Sequence, residues 1–332
     1  MRFLRRARTT PGPPADPGPG GLQAATAREL YDELVRRVGF DSTAPNWTPD
    51  LRELHRHSRE RRLQLFPDFF YAPVFSPADV SAEVWSGTFP DCGTWDLEAQ
   101  RAFLRETPSY AEELSALPYE RPEADSTAFF WGNDQFSHSD ASLYYAILRR
   151  FRPKRIVEVG AGHSTKLAAR AVRANGSGSI LCIDPHAPEW LARLDAAVEV
   201  QANPVQETPD ETFLGLAPGD VLFIDGSHIA KTGSDVNHLF LRILPRLPKG
   251  VIVHVHDICL PFEYPRAWSE DVLCYWNEQY VLAALLANST KYEVMLGVYY
   301  MQKADLDALR PFVPRVAGVF PGGGSLWIRV RE

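Results

Sequence analysis

From Arg155 onward, short runs of apolar residues alternate with amphipathic stretches, the pattern of strands covered on both faces by helices. The runs are RIVEVG at 155–160, SILCID at 179–184, VEVQAN at 198–203, DVLFID at 220–225 and VIVHVHD at 251–257. Helical spacing fills the gaps at 165–175, 188–194, 211–216 and 234–247, and Gly250 supplies a turn before the fifth strand. A helix at 277–288, a strand YEVMLGVYY at 292–300 and a strand SLWIRVR after the turn at 321–324 bring the strands to seven. This order predicts an α/β fold: a Rossmann-like, doubly wound, mostly parallel seven-stranded sheet.

Upstream the periodicity weakens. Leu30, Leu34, Val35 and Val38 recur at helical spacing within 24–39, and Ser139 or Asp140 is placed to cap a helix running to Arg150. Between 50 and 117, Phe66, Phe69, Phe70, Tyr71, Phe75, Trp85, Phe89 and Trp95 are interrupted by Pro67, Pro73, Pro77 and Pro90, which predicts a helical, loop-rich cap. The aromatic cluster reads as core or as a substrate box. The first residues are rich in Pro and Gly, with Arg2, Arg5, Arg6 and Arg8 but no apolar stretch, so a disordered tail is expected rather than a secretory signal. Three regions follow: a tail at 1–22, an N-terminal cap at 23–124 and a sheet domain at 125–332.

Composition narrows the partners. A formal charge of -7 gives no electrostatic footprint for nucleic acid, which favours a small-molecule acceptor. No apolar run approaches the length that spans a bilayer, so no membrane partner is expected. The four cysteines lack paired zinc spacing; Cys182 falls inside an apolar run as core filler, and reduced thiols in a cytoplasmic protein are the expectation. The oligomeric state stays open, a homodimer included.

The run VEVGAGHST ends a strand and opens a helix. Gly160 and Gly162 let the backbone turn tightly toward a ligand, Ser164 opens the helix beside it, and Asp184 ends the next strand. A dinucleotide site would need a third glycine where Thr165 stands. The segment resembles class I S-adenosylmethionine (SAM)-dependent methyltransferases, most closely a bacterial group that pairs VEVGAGHST with IDGSH and HVHDICLPFEYP, over about 125–332. The resemblance implies that the glycine turn contacts the methionine half of SAM, that Asp184 binds both ribose hydroxyls and that Glu158 holds the methionyl ammonium. Asp184 precedes Pro185, so a turn-starting role competes; Asp140 is read as a cofactor contact or a helix cap.

Ligands of open parallel sheets sit beyond the carboxyl ends of the strands. There the fourth and fifth strands place Asp225, His228, His256 and Asp257, while His254 lies deeper, expected to be satisfied by a polar neighbour. Asp225, His256 and Asp257 form a candidate cation site, with magnesium or manganese first, though imidazole is a softer ligand than magnesium prefers. The competing reading is a hydrogen-bonded His256–Asp257 pair without metal. His228 is the candidate general base by its ordinary pKa, and its position resembles the base of metal-dependent sugar O-methyltransferases; His256 is the second catalytic candidate. Lys231, Asp235, Glu263, Tyr264, Glu278 and Tyr280 are lesser candidates for the acceptor pocket. The reading is O-methylation of a small, secondary-metabolite or sugar-like acceptor, with N- or carboxyl-methylation, another reaction on the same fold, or non-catalytic binding as alternatives.

Overall fold

The computed structural model describes residues 29, 32, 33, 49–60, 72–195 and 197–332. The expected tail at 1–22 and Phe66, Phe69, Phe70 and Tyr71 lie outside them; of the helix expected at 24–39, only positions 29, 32 and 33 are described, and these are helical. The chain divides into two compact units, Arg2–Ser81 and Ala82–Glu332. In the first, helix α1 (Pro49–Glu60) is followed by a 3-10 turn at Pro77–Asp79, whose leading proline needs no N–H there. Among the described residues no helix is long and apolar enough to cross a membrane.

The second unit is built on one sheet of seven strands: β1 (Arg155–Val159), β2 (Ser179–Ile183), β3 (Val198–Gln201), β4 (Val221–Ile224), β5 (Ile252–Val255), β6 (Tyr292–Gly297) and β7 (Leu326–Val330). Their order is β3-β2-β1-β4-β5-β7-β6, parallel from β1 to β5, with β7 antiparallel to both neighbours. The order reverses between β1 and β4, so a crevice opens beyond their carboxyl ends. Every residue of β4 and β5 is buried, as continuous apolar runs require when both faces are covered.

The longer helices of this unit are α2 (Leu97–Glu106), α3 (His138–Phe151), α4 (His163–Asn175), α5 (Glu278–Leu286) and α6 (Val298–Ala304). Helix α2 starts at Asp96, whose carboxylate accepts from Ala99 N at 3.0 Å, and α4 stops at Gly176, which takes the left-handed conformation. Leu143 and Ile147 of α3 and Leu167 and Ala171 of α4 pack with Phe223 and Trp327 on one side of the sheet. Leu222, Val253, Phe240, Ile243 and Leu282 belong to a second buried cluster. Truncating one such residue to alanine costs about 2–5 kcal/mol.

Several elements differ from expectation. Residues 82–124, expected with the cap, belong to the same unit as the sheet, because Leu104 and Leu114 enter its core and Gln100 accepts from Gly297 N at 2.9 Å. The helix expected at 234–247 is α-helical only at Asp235–His238, then π-helical at Leu239–Ile243 and 3-10 at Leu244–Arg246, where Pro245 has no N–H to give. The strand expected through 300 ends at Gly297 and continues as α6. The stretch at 188–194 is 3-10, Glu189–Arg193. The N-cap of α3 is Ser137; Ser139 and Asp140 sit in the first turn and bind a distant loop instead of capping.

Candidate functional site

The turn after β1 is dictated by close approach. Gly160 has φ +86°, and a Cβ there would meet the backbone oxygen of Asp225 at 2.0 Å, so no other residue fits. Gly162 is extended, with φ -178°, and its N–H donates to Thr165 Oγ1 at 3.1 Å to start α4; Ser164 is buried in that first turn. Beyond the turn lies a cavity of about 440 Å³, lined among others by Gly160, Asp184, His186, Gln206, Asp225 and Asp235. Asp184 both shapes its own turn, accepting from His186 N at 2.7 Å, and reaches back to Ala161 N at 3.2 Å. His186 and Gln206 were not foreseen; their place just after β2 and β3 was the available signal.

Glu158 lies elsewhere. It is fully buried and lines neither cavity described here; one carboxylate oxygen accepts from Tyr144 Oη at 2.6 Å and the other from Thr165 Oγ1 at 2.6 Å. Burial raises its pKa from 4.5 to about 7, against the lowering effect of those hydrogen bonds. A carboxyl whose folded pKa is raised favours folding below its unfolded pKa, and that contribution is lost as pH rises through the folded value. Glu158→Gln is therefore expected to flatten a decline in stability between about pH 4.5 and pH 7, worth about 3 kcal/mol. Urea unfolding of both proteins across that range checks it; parallel curves would contradict it.

At the ends of β4 and β5 four groups converge. His228 Nε2 lies 3.3 Å from Asp225 Oδ1 and 3.8 Å from Asp257 Oδ2; His256 Nδ1 lies 3.5 Å and 3.6 Å from the same two carboxylates. Donor atoms of Asp225, His228 and Asp257 all fall within 4.8 Å of one another, the spacing of a candidate cation site. His228 and Asp257 both have positive φ, 59° and 57°, a strained backbone for non-glycine residues that marks a site held by its surroundings. The His228 carbonyl accepts from Asn277 N and Glu278 N at 3.1 and 3.2 Å, which fixes the loop.

Glu278, one of the lesser candidates in the sequence, is fully buried at the start of α5 and meets His228 Nδ1 at 2.8 Å. Burial disfavours the charged imidazole of His228, but hydrogen bonds to Asp225 and Glu278 outweigh it and hold its pKa well above the usual range. His256 is likewise raised against burial, by Asp257, Asp225 and Asp140. Asp225 is held well below the usual carboxylate range although desolvation opposes this, because His256 and His228 face it; burial instead raises Asp257.

Asp140 stands on the far side of His256, its Oδ2 at 3.4 Å from Nε2, and also accepts from Gly324 N and Ser325 N at 2.8 and 3.0 Å. His254, expected to have a polar partner, has none at either ring nitrogen among the described residues; it stacks on Trp327 at 4.2 Å, and burial lowers its pKa to about 3, leaving it neutral. Glu263 accepts from Tyr280 Oη at 2.5 Å, and Lys231, Glu263, Tyr264 and Tyr280 line neither cavity. A second cavity, about 390 Å³, is lined among others by Asp140, His256, Asp257, Trp268, Tyr299 and Phe320. Asp225 thus borders the first cavity and Asp257 the second.

Residues 157–258, which run from β1 through the end of β5, match the family model described as a methyltransferase domain. Similar solved structures include the O-methyltransferase TomG of Streptomyces achromogenes, involved in tomaymycin synthesis and crystallised with SAM, at 16% identity over 58% of this chain and 79% of that one, TM-score 0.36. An O-methyltransferase of Bacillus cereus in complex with SAH is similar at 13% identity over 71% and 92%, TM-score 0.35. A methyltransferase of Geobacter sulfurreducens is similar at 15% identity over 59% and 80%, TM-score 0.34. No curated protein matches the chain. The matched segment thus resembles a methyltransferase domain, and the sheet that carries it is Rossmann-like.

Proposed function

We propose that the chain is a SAM-dependent methyltransferase that methylates a hydroxyl of a small molecule. The observation that carries this reading is the meeting of two cavities at one carboxylate–imidazole cluster, with Asp225 bordering the first and His256 and Asp257 the second. The first cavity fits the cofactor: its volume is in the range of small-molecule sites, Gly160 leaves room where any Cβ would clash, and Asp184 offers a carboxylate at the end of β2 for paired hydroxyls. SAM supplies an electrophilic methyl group. Gly160, Gly162, Ser164, Asp184 and Asp225 are proposed to hold it or shape its turn, with Glu158 supporting that turn through Thr165 and Asp140 supporting the cluster through His256.

His228 is proposed to take the hydroxyl proton at Nε2. Glu278 on Nδ1 fixes the ring orientation and stabilises the imidazolium that results, the role a buried carboxylate plays beside a histidine base. Two carboxylates and an imidazole suit a divalent cation, and Asp225, Asp257 and His256 would hold magnesium or manganese, the nitrogen ligand favouring manganese. Such an ion would supply positive charge that makes a nearby hydroxyl more acidic.

The tighter grouping of Asp225, His228 and Asp257 favours a second reading, in which His228 is the ligand and His256 the base. Manganese titration separates them: the first reading predicts that His256→Ala loses affinity and His228→Ala keeps it, the second the reverse. The parent reading is tested by incubating the chain with methyl-labelled SAM and acceptor panels of alcohols, amines and carboxylic acids. Label is expected on oxygen of a hydroxyl product; label on nitrogen or carboxylate, or cofactor binding with no transfer, would replace it.

A further inference from the structure

We infer that the second cavity selects a flat aromatic acceptor that carries no anionic group; this rests on the methyltransferase reading for its chemistry and on the cavity itself for its selectivity. The apolar lining is aromatic. Trp268, Tyr299 and Phe320 line it, and Phe320, 53% exposed, stacks on His138 at 3.7 Å between ring centroids. Trp268 is buttressed edge-on by Trp276 at 5.2 Å, and Trp276 in turn packs against His228 at 4.3 Å, so the aromatic wall is continuous with the reacting cluster. Rings of this kind bind planar partners by stacking, with a geometric preference that aliphatic polyols do not satisfy.

With no cation bound at His256 and Asp257, the polar lining is weighted against an anion. No lysine or arginine lines the cavity, whereas Asp134, Asp140 and Asp257 do. Lys303 lies near, its Nζ over the Tyr299 ring at 5.2 Å, but does not line the space. His256 already has carboxylates of Asp140, Asp225 and Asp257 at 3.4, 3.5 and 3.6 Å, and burial lowers the pKa of His138, which disfavours its charged form.

The Gly322–Gly324 run has the composition of an anion-binding loop, yet its amides are committed within the protein. Gly322 N donates to Ser139 Oγ at 3.0 Å, Gly323 N to Gln302 Oε1 at 3.1 Å, Gly324 N and Ser325 N to Asp140 at 2.8 and 3.0 Å. A phosphate or carboxylate on the acceptor would face the carboxylates of Asp134, Asp140 and Asp257 with no lysine or arginine among the lining residues to offset them, the kind of repulsive element from which specificity is built.

The test uses the full chain and three probes of one shape and different charge: dihydroxybenzylamine, dihydroxybenzyl alcohol and dihydroxybenzoate, with methyl glucoside as the non-aromatic polyol. Calorimetric titrations without cofactor are expected to show the amine and the alcohol binding at least about tenfold tighter than the benzoate and the glucoside. Trp268→Ala is expected to weaken the alcohol by about tenfold. Equal or tighter binding of the benzoate, preference for the glucoside, or binding of none of the four would overturn the inference. A parallel SAM titration keeps the two claims apart: its failure bears on the methyltransferase reading, while SAM binding alongside a preferred benzoate sinks only the selectivity.

Discussion

Replacing His228 with alanine is expected to lower the single-turnover methylation rate by about 100-fold or more, the scale of lost general-base catalysis, with little change in SAM affinity. The expectation comes from the placement of its two nitrogens: Nδ1 is taken by Glu278 at 2.8 Å, and Nε2 is the atom left to face Asp225 and Asp257 at 3.3 and 3.8 Å. Since Asp225 and Glu278 raise its pKa against burial, Nε2 keeps its proton to higher pH than an ordinary histidine. The wild-type rate should therefore rise with pH through a value above about 6.5, and the alanine variant should lack that limb. Near-normal single-turnover chemistry with weakened acceptor binding would make His228 a positioning residue.

Asp225→Ala should be nearly as damaging, about 100-fold in turnover, because one carboxylate faces both imidazoles and borders the first cavity. Its backbone N–H to Val159 O, 2.9 Å, survives the substitution, so the sheet junction is kept while the charge is lost. Chelation should suppress wild-type turnover and manganese should restore it, with the variant responding to neither. Full wild-type activity after exhaustive chelation would remove the cation from the mechanism and leave the methyltransferase reading standing.

The strands were legible because buried parallel strands advertise themselves as unbroken apolar runs: VLFI and IVHV are strands β4 and β5 wherever they are read. The residues that end them, Asp225, His256 and Asp257, were legible for the same reason, since topology alone puts strand ends at the crevice. Glu278 was legible only as one of several acceptor-pocket candidates; its pairing with His228 was hidden by distance, fifty residues along the chain, on a helix whose apolar pattern gives no sign of a buried acid. Glu158 shows the opposite failure: its position beside the glycine turn resembles a cofactor contact, but Tyr144, which no motif flags, occupies one of its oxygens. Asp140 was visible as a helix-start residue, yet its partners lie across the loop at Gly324 and Ser325, a long-range pairing that local spacing does not encode.

The central claim is that the first cavity takes SAM, and isothermal titration of the full chain with SAM tests it most directly. Wild type is expected to bind one SAM, and Asp184→Ala to bind it at least about tenfold more weakly because the paired hydroxyls lose a charged acceptor. A chain that binds no SAM and takes a nicotinamide dinucleotide instead would contradict the account.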